Sequence, residues 1–239
     1  MAWKIIVTLL VSYLVGSINP SYIIGRLKGI DIRKQGSGNA GASNATVVLG
    51  KWVGIFSGVF DILKATGVML LFPLVFGDIP YLAECAGVAC IVGHIFPIFM
   101  HFKGGKGLAC LGGLLIALDP RLFLIMLSAE IVLLLLVNYI CIVPITAAVL
   151  IPIAYGVLGS DGLNILWRAE GGWWGAAIIS IASVVILLRH VQNIKRIIKG
   201  KEMRFSYVWM SAEDKQKELM RIGKLEEHQE LTEKFDAKS

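Results

Sequence analysis

Three short stretches carry the residues that could do chemistry in this chain, and each stands between long apolar runs. They are rich in glycine, lysine, arginine and small polar residues, and they cover positions 36–44, 102–107 and 189–196. Phosphate oxygens bind to backbone N–H groups that glycine leaves accessible and to the side chains of lysine and arginine. Such groups beside apolar runs predict an anionic substrate that is handled at a lipid surface.

The first stretch reads Gly36-Ser37-Gly38-Asn39-Ala40-Gly41 and is followed by Ala42-Ser43-Asn44. It fits the pattern G-x-G-x-x-G, but a basic segment precedes it rather than a buried strand, so a dinucleotide site is not indicated. One interpretation is a flexible loop whose amides wrap a phosphate, with further donors on the side chains of Ser37, Asn39, Ser43 and Asn44. The other is an ordinary polar loop between two helices.

The second stretch, Lys103-Gly104-Gly105-Lys106-Gly107, lacks the spacing of a Walker A loop. A short apolar run begins at Gly107, which places Lys106 at the N-terminus of the helix that this run predicts. The free amides and the dipole of a helix N-terminus favour anions. Anchoring at the cytoplasmic face would also explain two lysines, but it does not explain the glycines between them.

The third stretch contains His190, Asn193 and Arg196, which are spaced i, i+3 and i+6. If the last apolar helix continues through them, they lie on roughly one face. The histidine could transfer a proton or donate to a phosphate, since its ordinary pKa lies near neutrality. The alternative is a histidine at a helix end that contacts water.

Composition identifies the elements that must position these residues. Hydrophobic residues make up 56% of the 239 positions and charged residues 17%, whereas soluble domains have about 45–50% apolar residues. A membrane-spanning helix needs about 20 apolar residues. We therefore expect an all-α integral membrane protein with about seven transmembrane helices, formed by the ranges 3–24, 52–76, 81–99, 107–118, 122–137, 140–158 and 173–188. The fourth range is short, and a half-membrane segment is the alternative there.

The distribution of positive charge predicts the orientation in the membrane. The net charge is +6, and lysine and arginine concentrate in 26–51, in 101–106 and after Arg189. The positive-inside rule then puts the N-terminus outside and the C-terminus in the cytoplasm, with all three stretches and the hinge Asn138-Tyr139 on the cytoplasmic side. This topology explains the basic charge better than nucleic acid as a partner does.

Two details of the apolar runs suggest internal structure. Gly16-Ser17-Ile18-Asn19-Pro20 interrupts the first run, and it predicts either a kink or a broken helix that lends backbone groups to a site. Asp61 and Lys64 lie inside the second run, where charges usually pair and face the protein interior. We expect an internal ion pair there.

The chain divides into a membrane domain, 1–205, and a charged cytosolic tail, 206–239. Ser211 followed by Asp214 is a helix-start signature. The helix it predicts is either solvated or lies on the membrane surface. None of the four cysteines has metal-ligand spacing, and we expect buried, reduced thiols.

The ordered motifs resemble one family, the bacterial integral-membrane acyl-phosphate:glycerol-3-phosphate acyltransferases of the PlsY type. The resemblance runs from Gly16 to about Lys201. It rests on the three stretches, on Asp61-Ile62-Leu63-Lys64, and on Gly93-His94-Ile95-Phe96-Pro97. No His-x4-Asp box, on which the soluble-faced glycerolipid acyltransferases depend, is present.

The resemblance implies a seven-helix enzyme of the bacterial cytoplasmic (inner) membrane with its site facing the cytoplasm. It implies transfer of a fatty acyl group from acyl phosphate to the sn-1 hydroxyl of glycerol 3-phosphate, which gives lysophosphatidic acid and phosphate without metal, cofactor or acyl carrier protein. The implied partners are the two substrates and the lipid bilayer. The residues carried over as catalytic are Ser37, Lys106, His190 and Asn193. The residues assigned to substrate binding are Gly36, Gly38, Asn39, Ser43, Asn44, Lys103, Gly104, Gly105 and Arg196.

The chain departs from the family pattern at three positions. Val47 stands where the family has a phosphate-contacting arginine, Cys141 where it has a site serine, and Cys110 where threonine is common. Arg33, Lys34 or Lys103 could compensate. Two further hypotheses therefore stand beside the acyltransferase: a related enzyme with a different acyl acceptor, and a transporter or non-catalytic binding protein.

Overall fold

The computed structural model describes residues 1–77, 79–159 and 172–223, and within these ranges the regular elements are helical. The α-helices are α1 Ala2–Ser17, α2 Pro20–Leu27, α3 Ala42–Leu49, α4 Lys51–Phe76, α5 Leu82–Ile95, α6 Leu108–Leu118, α7 Pro120–Val137, α8 Ile142–Leu158, α9 Gly172–Ile198 and α10 Ala212–Ile222. Short 3-10 turns cover Ile32–Lys34, Ile98–Met100 and Phe205–Trp209. The predicted all-α class is confirmed.

The apolar helices follow the seven predicted segments, but they differ in length. Among the described residues, four spans are long and apolar enough to cross a membrane: Lys51–Phe76, Leu82–Met100, Pro120–Val137 and Gly172–Ile198. The bent pair α1 and α2 makes a fifth, and α6 and α8 are shorter apolar helices. The chain is therefore an integral membrane protein, while a count of seven complete spans stays a prediction.

The first span is broken rather than merely kinked. α1 ends at Ser17, α2 begins at Pro20, and the two axes differ by 42°. The Asn19 side chain caps α2 by accepting a 2.9 Å hydrogen bond from the backbone N–H of Tyr22. Proline at the first helical position needs no intrahelical donor, so the sequence ends one helix and starts the next.

Close backbone contacts hold the apolar helices together. A Cβ on Gly16 would lie 2.1 Å from the carbonyl oxygen of Cys90, and one on Gly93 would lie 2.1 Å from that of Tyr13. These glycines let α1 and α5 cross without side chains between them. Small residues have this role in membrane helix packing, where lipid offers no hydrophobic driving force between helices.

The basic segment 26–51 is more ordered than the sequence suggested. We expected a polar loop there, and the structure instead forms α3 within it. α3 packs closely on α4, because a Cβ on Gly54 would meet the Thr46 hydroxyl at 1.9 Å. Ala45 and Leu49 of α3 are buried with Ile32, Ala40 and Met100 in a small apolar cluster. Tertiary burial therefore stabilises a helix in a segment that also contains serine, asparagine, threonine and valine, whose intrinsic helix propensity is weak.

The helix predicted within the tail begins at its start signature. Ser211 caps α10, since its Oγ accepts a 3.1 Å hydrogen bond from the N–H of Asp214. The division at 205/206 stays a prediction. The loop before the last predicted span, residues 160–171, and the end of the predicted tail, residues 224–239, lie outside the described residues.

Candidate active site

A buried cluster of charges supports the break in the first span. The Lys64 ammonium lies 2.7 Å from Asp61 Oδ1. It also donates to the carbonyl oxygens of Gly16, at 2.9 Å, and Ile18, at 2.7 Å. Carbonyls at the end of a helix have no intrahelical partner, and Lys64 satisfies two of them. The internal ion pair predicted from the sequence is confirmed, and its role is to hold the broken helix in place.

The cluster also positions residues 103–107, which we call the lysine loop. His94 Nδ1 lies 3.3 Å from Asp61 Oδ1, and the other side of its ring contacts the loop. A Cβ on Gly105 would lie 2.1 Å from His94 Nε2, and one on Gly104 would lie 2.2 Å from the His94 carbonyl oxygen. The loop therefore needs glycine at both positions to pack against the end of α5.

The amides of these two glycines are used inside the fold. The N–H of Gly104 donates to the carbonyl oxygen of Ile95 and that of Gly105 to the carbonyl oxygen of His94, both at 3.1 Å. These bonds satisfy the C-terminal carbonyls of α5. Gly104 and Gly105 therefore contribute to the candidate site by positioning Lys106. Lys103, the other lysine of the loop, is exposed.

Lys106 joins two of the three chemistry-bearing stretches. Its Nζ donates a 2.7 Å hydrogen bond to Asn193 Oδ1 on α9. The next residue, Gly107, lies between Ile95 and Ile186, at a distance where a Cβ would contact both. Burial, and then the positive charge of Arg196, lowers the pKa of Lys106 below that of a free lysine.

His190 and Asn193 face the interior from α9, with 2% and 5% exposed surface. His190 Nδ1 lies 2.8 Å from the carbonyl oxygen of Ile186. A carbonyl can only accept, so Nδ1 carries a proton, and Nε2 is left to exchange a proton with a substrate. The predicted single face is confirmed for these two side chains, whereas Arg196 is exposed.

The polar network continues from Asn193 to the tail. Asn193 Nδ2 donates to Glu202 Oε1 at 2.7 Å, and Arg196 Nε donates to Glu202 Oε2 at 2.6 Å. With an ammonium on its oxygen and a carboxylate on its nitrogen, the amide of Asn193 has one favourable orientation. Cys141, at the hinge between α7 and α8, is buried beside this network. Burial and the negative charge of Glu202 raise the pKa of the Cys141 thiol to about 12.

The first glycine stretch is a folded loop held by Asn44. Asn44 Oδ1 accepts from the N–H of Ser37 at 2.9 Å, and its Nδ2 donates to the carbonyl oxygens of Ile32 and Gln35, both at 3.0 Å. Gly36 and Gly38 have φ of 58° and 71°, a conformation that favours glycine. The Asn44 side chain is therefore engaged within the loop.

The side chains of this loop differ in exposure. Ser37 and Ser43 are exposed, and Asn39 is half-buried with an Oδ1 that lacks a hydrogen-bond partner within the described structure. Val47 is 77% exposed on α3. A 3.0 Å hydrogen bond from Asn19 Nδ2 to the carbonyl oxygen of Ala40 connects this loop to the break between α1 and α2.

The loop also connects with the residues that precede the lysine loop. Arg33 Nη1 donates to the carbonyl oxygen of Met100 at 2.8 Å, and Arg33 Nη2 lies 2.9 Å from Asp31 Oδ2. Hydrogen bonding from Arg33 lowers the pKa of Asp31 to about 2. Arg33 is thus engaged in holding the loop, and of the three cations proposed to compensate for Val47 only Lys34 and Lys103 are exposed.

The structure brings Lys106, His190, Asn193 and Arg196 into one region. The described hydrogen bonds do not join Ser37 to these four, so a place for the first loop in the candidate site stays a prediction. Asp61, His94 and Cys110 offer metal-ligand atoms within 4.8 Å of one another. The Lys64 ammonium already lies against Asp61 there, so the charge that a cation would neutralise is already paired.

Sequence reasoning missed two residues of this region. Glu202 lies beyond the third stretch, in a segment without a recognisable sequence motif. It reaches Asn193 and Arg196 only because the chain after α9 turns back toward them. Arg189 precedes His190, and its Nε is buried without a hydrogen-bond partner within the described residues. A basic residue directly before the histidine was the available signal, but spacing alone did not show that it turns inward.

Comparisons with known proteins show the family of the chain. Residues 6–200 match the family model described as glycerol-3-phosphate acyltransferase. A glycerol-3-phosphate acyltransferase of Enterococcus faecalis is 39% identical over 85% of this chain and 93% of its own. One of Aquifex aeolicus is 33% identical over 84% of this chain and 100% of its own.

Solved structures give the same result. The crystal structure of PlsY, an integral membrane glycerol 3-phosphate acyltransferase, in its glycerol 3-phosphate form has a TM-score of 0.73 and 32% identity, and the match covers 85% of this chain and 96% of that one. Its lysophosphatidic acid form has a TM-score of 0.69 and 31% identity, with 84% and 94% covered. The chain therefore belongs to the glycerol-3-phosphate acyltransferase family of the PlsY type.

Proposed function

We propose that this protein transfers a fatty acyl group from acyl phosphate to the sn-1 hydroxyl of glycerol 3-phosphate at the cytoplasmic face of the inner membrane. The products are lysophosphatidic acid and inorganic phosphate. The observation that carries the proposal is the 2.7 Å hydrogen bond between Lys106 and Asn193, because it unites a partly buried cation and an amide side chain beside His190. Family membership and the substrate named for the solved relative support the acceptor.

The reaction needs positioning and electrostatic stabilisation more than it needs a strong nucleophile. The hydroxyl oxygen of glycerol 3-phosphate attacks the carbonyl carbon of acyl phosphate, and the bond from that carbon to the phosphate oxygen breaks. Lys106 binds the phosphate that leaves, and Asn193 Nδ2 donates to the oxyanion that develops. The hydroxyl proton passes to the departing phosphate, either directly or through Nε2 of His190.

Two unpartnered buried groups fit the glycerol 3-phosphate side of the site. Asn39 Oδ1 has no hydrogen-bond donor within the described structure, and a substrate hydroxyl would supply one. Arg189 Nε has no acceptor there, and phosphate oxygens are strong acceptors. Buried polar groups are rarely left unsatisfied, and a polar ligand that reached these two atoms would satisfy them.

An apolar groove between α8 and α9 fits the acyl chain. Its volume is about 390 Å³, and the residues that line it include Pro152, Trp173, Ala177 and Leu187. At 1.5 Å per helical residue, the lining residues of α9 span about 21 Å. The groove ends at Leu187, one turn before His190, so a chain lying in it would present its carbonyl end to the candidate site.

A different acyl acceptor is the second candidate, and Val47 is the observation that favours it. An exposed valine occupies the position of the family's phosphate-contacting arginine. An acceptor with less negative charge than glycerol 3-phosphate would not need that cation. Glycerol 3-phosphate remains the leading acceptor because Lys106, Arg189 and Arg196 all lie near the candidate site.

The test measures lysophosphatidic acid and released phosphate from detergent-purified protein given palmitoyl phosphate, with and without glycerol 3-phosphate. We expect both products, and phosphate release that depends on glycerol 3-phosphate. Val47→Arg should lower the KM for glycerol 3-phosphate by restoring a bidentate phosphate donor. Phosphate release that glycerol 3-phosphate does not stimulate would show a different acceptor. Folded protein that consumes no palmitoyl phosphate would contradict the acyl-phosphate reaction.

A further inference from the structure

The chain continues beyond the family match, which ends at residue 200, and the added segment folds back onto the hinge between α7 and α8. The N–H of Phe205 donates to the backbone carbonyl oxygen of Asn138, and the N–H of Ser206 donates to Asn138 Oδ1, both at 2.8 Å. Asn138 Nδ2 returns a 3.0 Å hydrogen bond to the Ser206 hydroxyl. The side-chain amide of Asn138 therefore uses both its oxygen and its nitrogen on one residue of the tail. We call residues 203–222 the C-terminal clamp.

Asn138 also ends α7. Its φ of 62° places it in the left-handed region, and its N–H donates a 2.8 Å hydrogen bond to the carbonyl oxygen of Leu134. Asparagine is one of the few residues besides glycine that adopt this conformation readily. Because the residue that ends α7 also receives the clamp, the position of the hinge and the docking of the tail are linked.

The helix α10 braces the backbone that leads to the hinge. Arg221 donates through Nη2 to the carbonyl oxygen of Glu202 at 2.5 Å, and through Nη1 to the carbonyl oxygen of Gly200. The same guanidinium pairs with Glu218, with Nη2 2.5 Å from Oε1. Glu218 in turn accepts from the N–H of Arg204 at 3.1 Å. The clamp is therefore a folded unit rather than a loose extension.

The hinge borders the candidate site through Cys141, which lies three positions after Asn138 and is 4% exposed. Lys106 and Glu202 both act electrostatically on its thiol. Burial, and then the negative charge of Glu202, raises the pKa of this thiol, so little of the reactive thiolate is present while the tail is docked. The reactivity of Cys141 therefore reports whether the hinge lies against the candidate site.

We propose that the C-terminal clamp holds the α7–α8 hinge against the candidate site, with Asn138 as the positioning residue that connects the two. The consequence for turnover rests on the proposed function, whereas the position of the hinge does not. Release of the clamp opens this region locally. It exposes the Cys141 thiol and lowers the fraction of molecules in which the site is assembled.

The experiment compares Asn138→Gly, Ser206→Ala and the control Glu213→Ala in the full chain. Asn138→Gly removes both side-chain hydrogen bonds to the clamp, while glycine keeps the left-handed backbone at the end of α7. Ser206→Ala removes one of the two bonds and leaves the hinge sequence intact. Glu213→Ala changes the same tail at a residue whose carboxylate pairs with Lys217 on the exposed side of α10.

Each protein is treated with iodoacetamide in detergent, and mass spectrometry measures the alkylation rate at each cysteine. We expect Cys141 to react about tenfold faster in Asn138→Gly and about threefold faster in Ser206→Ala, since each lost hydrogen bond weakens docking by roughly this factor. Glu213→Ala should match the parent. Cys90 and Cys110, which are 0% exposed in the apolar core, should stay unreactive in every variant.

Two results of the alkylation experiment would overturn the clamp. One is a Cys141 rate in Asn138→Gly that equals the parent's. The other is an increase that Cys90 and Cys110 share, because it would show general loosening of the fold rather than movement of the hinge.

Turnover tests the positioning role of Asn138. In Asn138→Gly we expect kcat for lysophosphatidic acid to fall about threefold or more with little change in the KM for glycerol 3-phosphate, because the binding groups remain and only their alignment is lost. Faster alkylation with an unchanged kcat, or an effect confined to KM, would contradict that role.

The alkylation rates do not depend on turnover, so they separate this proposal from the proposed function. If the parent forms no lysophosphatidic acid and Cys141 still reacts faster in Asn138→Gly, the clamp is supported and only the proposed function is contradicted. If the parent is active and the Cys141 rates are equal, only the clamp is contradicted.

Discussion

Lys106 Nζ and Asn193 Oδ1 lie 2.7 Å apart although 87 residues separate them in the chain. The hydrogen bond joins the short loop before α6 to the C-terminal part of α9, and it is a direct contact between two of the three chemistry-bearing stretches. It holds a partly buried cation at the N-terminus of an apolar helix, where a phosphate would also find free amides. The hydrogen bond between Lys106 and Asn193 therefore places the second and third stretches in one candidate site.

The first prediction concerns the decrease of kcat/KM at alkaline pH, which we call the alkaline limb. Burial and Arg196 lower the pKa of Lys106, so this side chain loses its proton at a lower pH than a free lysine does. Only the protonated form carries the positive charge that holds the leaving phosphate, so kcat/KM for palmitoyl phosphate should fall as pH rises through this lowered pKa. Lys106→Arg should move the limb of any remaining activity upward, because guanidinium stays protonated there.

Lys103→Arg is the matched control for that measurement. Lys103 belongs to the same loop but is exposed, and its replacement should leave the limb in place. A limb that stays at the same pH in Lys106→Arg would assign the titration to another group.

The second prediction concerns the packing of the lysine loop. A Cβ on Gly105 would lie 2.1 Å from His94 Nε2, and the ring cannot withdraw easily because its other nitrogen lies 3.3 Å from Asp61. Gly105→Ala should cost about 1–3 kcal/mol of unfolding free energy and displace Lys106. We expect a lower thermal midpoint and reduced turnover.

Gly67→Ala is the control for Gly105→Ala. It separates the effect of the contact with His94 from the general effect of replacing a glycine by alanine. A Cβ on Gly67 would have open space around it within α4, and alanine favours a helix over glycine by about 1 kcal/mol. This variant should be as stable as the parent or more so. Equal thermal midpoints for the two alanine variants would rule out the close contact at His94.

The third prediction concerns the buried ion pair. The side chains of Asp61 and Lys64 are 3% and 2% exposed, so Asp61→Asn would leave a buried ammonium without its counter-charge. Such a loss costs about 3–5 kcal/mol. Differential scanning fluorimetry in detergent should show a large fall in the unfolding temperature of the membrane domain.

An exposed pair provides the comparison. Glu213 and Lys217 lie 2.7 Å apart on α10 with side chains that are 78% and 65% exposed, and exposed pairs contribute about 0–1 kcal/mol. Glu213→Gln should therefore leave the unfolding temperature nearly unchanged. A shift in Asp61→Asn as small as that in Glu213→Gln would contradict the structural role of the cluster.

The fold class and much of the site could be predicted from the sequence because local patterns determine them. Long apolar runs require helices in a membrane, and Pro20 with Asn19 determines where the first span breaks. The spacing of His190 and Asn193 places them on one helical face whatever the tertiary structure. The charges Asp61 and Lys64 had to pair, because nothing else in an apolar run could stabilise them.

Other features depended on tertiary contacts that no local pattern carries. α3 forms because Ala45 and Leu49 are buried against Met100, a partner more than fifty residues away. Gly104 and Gly105 suggested amides that bind phosphate, yet their N–H groups cap α5, since only the fold brings that helix end to the loop. Glu202 reaches Asn193 through the path of the tail, which its own residues do not indicate.

A double-mutant cycle on kcat/KM tests the central claim most directly, with Lys106→Met, Asn193→Ala and the double variant assayed for lysophosphatidic acid. Each single change should lower kcat/KM by about 10²–10³, the usual effect of removing one group that stabilises the negative charge of the transition state. Because the two side chains act as one unit, the double variant should be scarcely worse than the poorer single variant. Losses that multiply, as they do for independent sites, would contradict the claim that the Lys106 loop and α9 form one catalytic site.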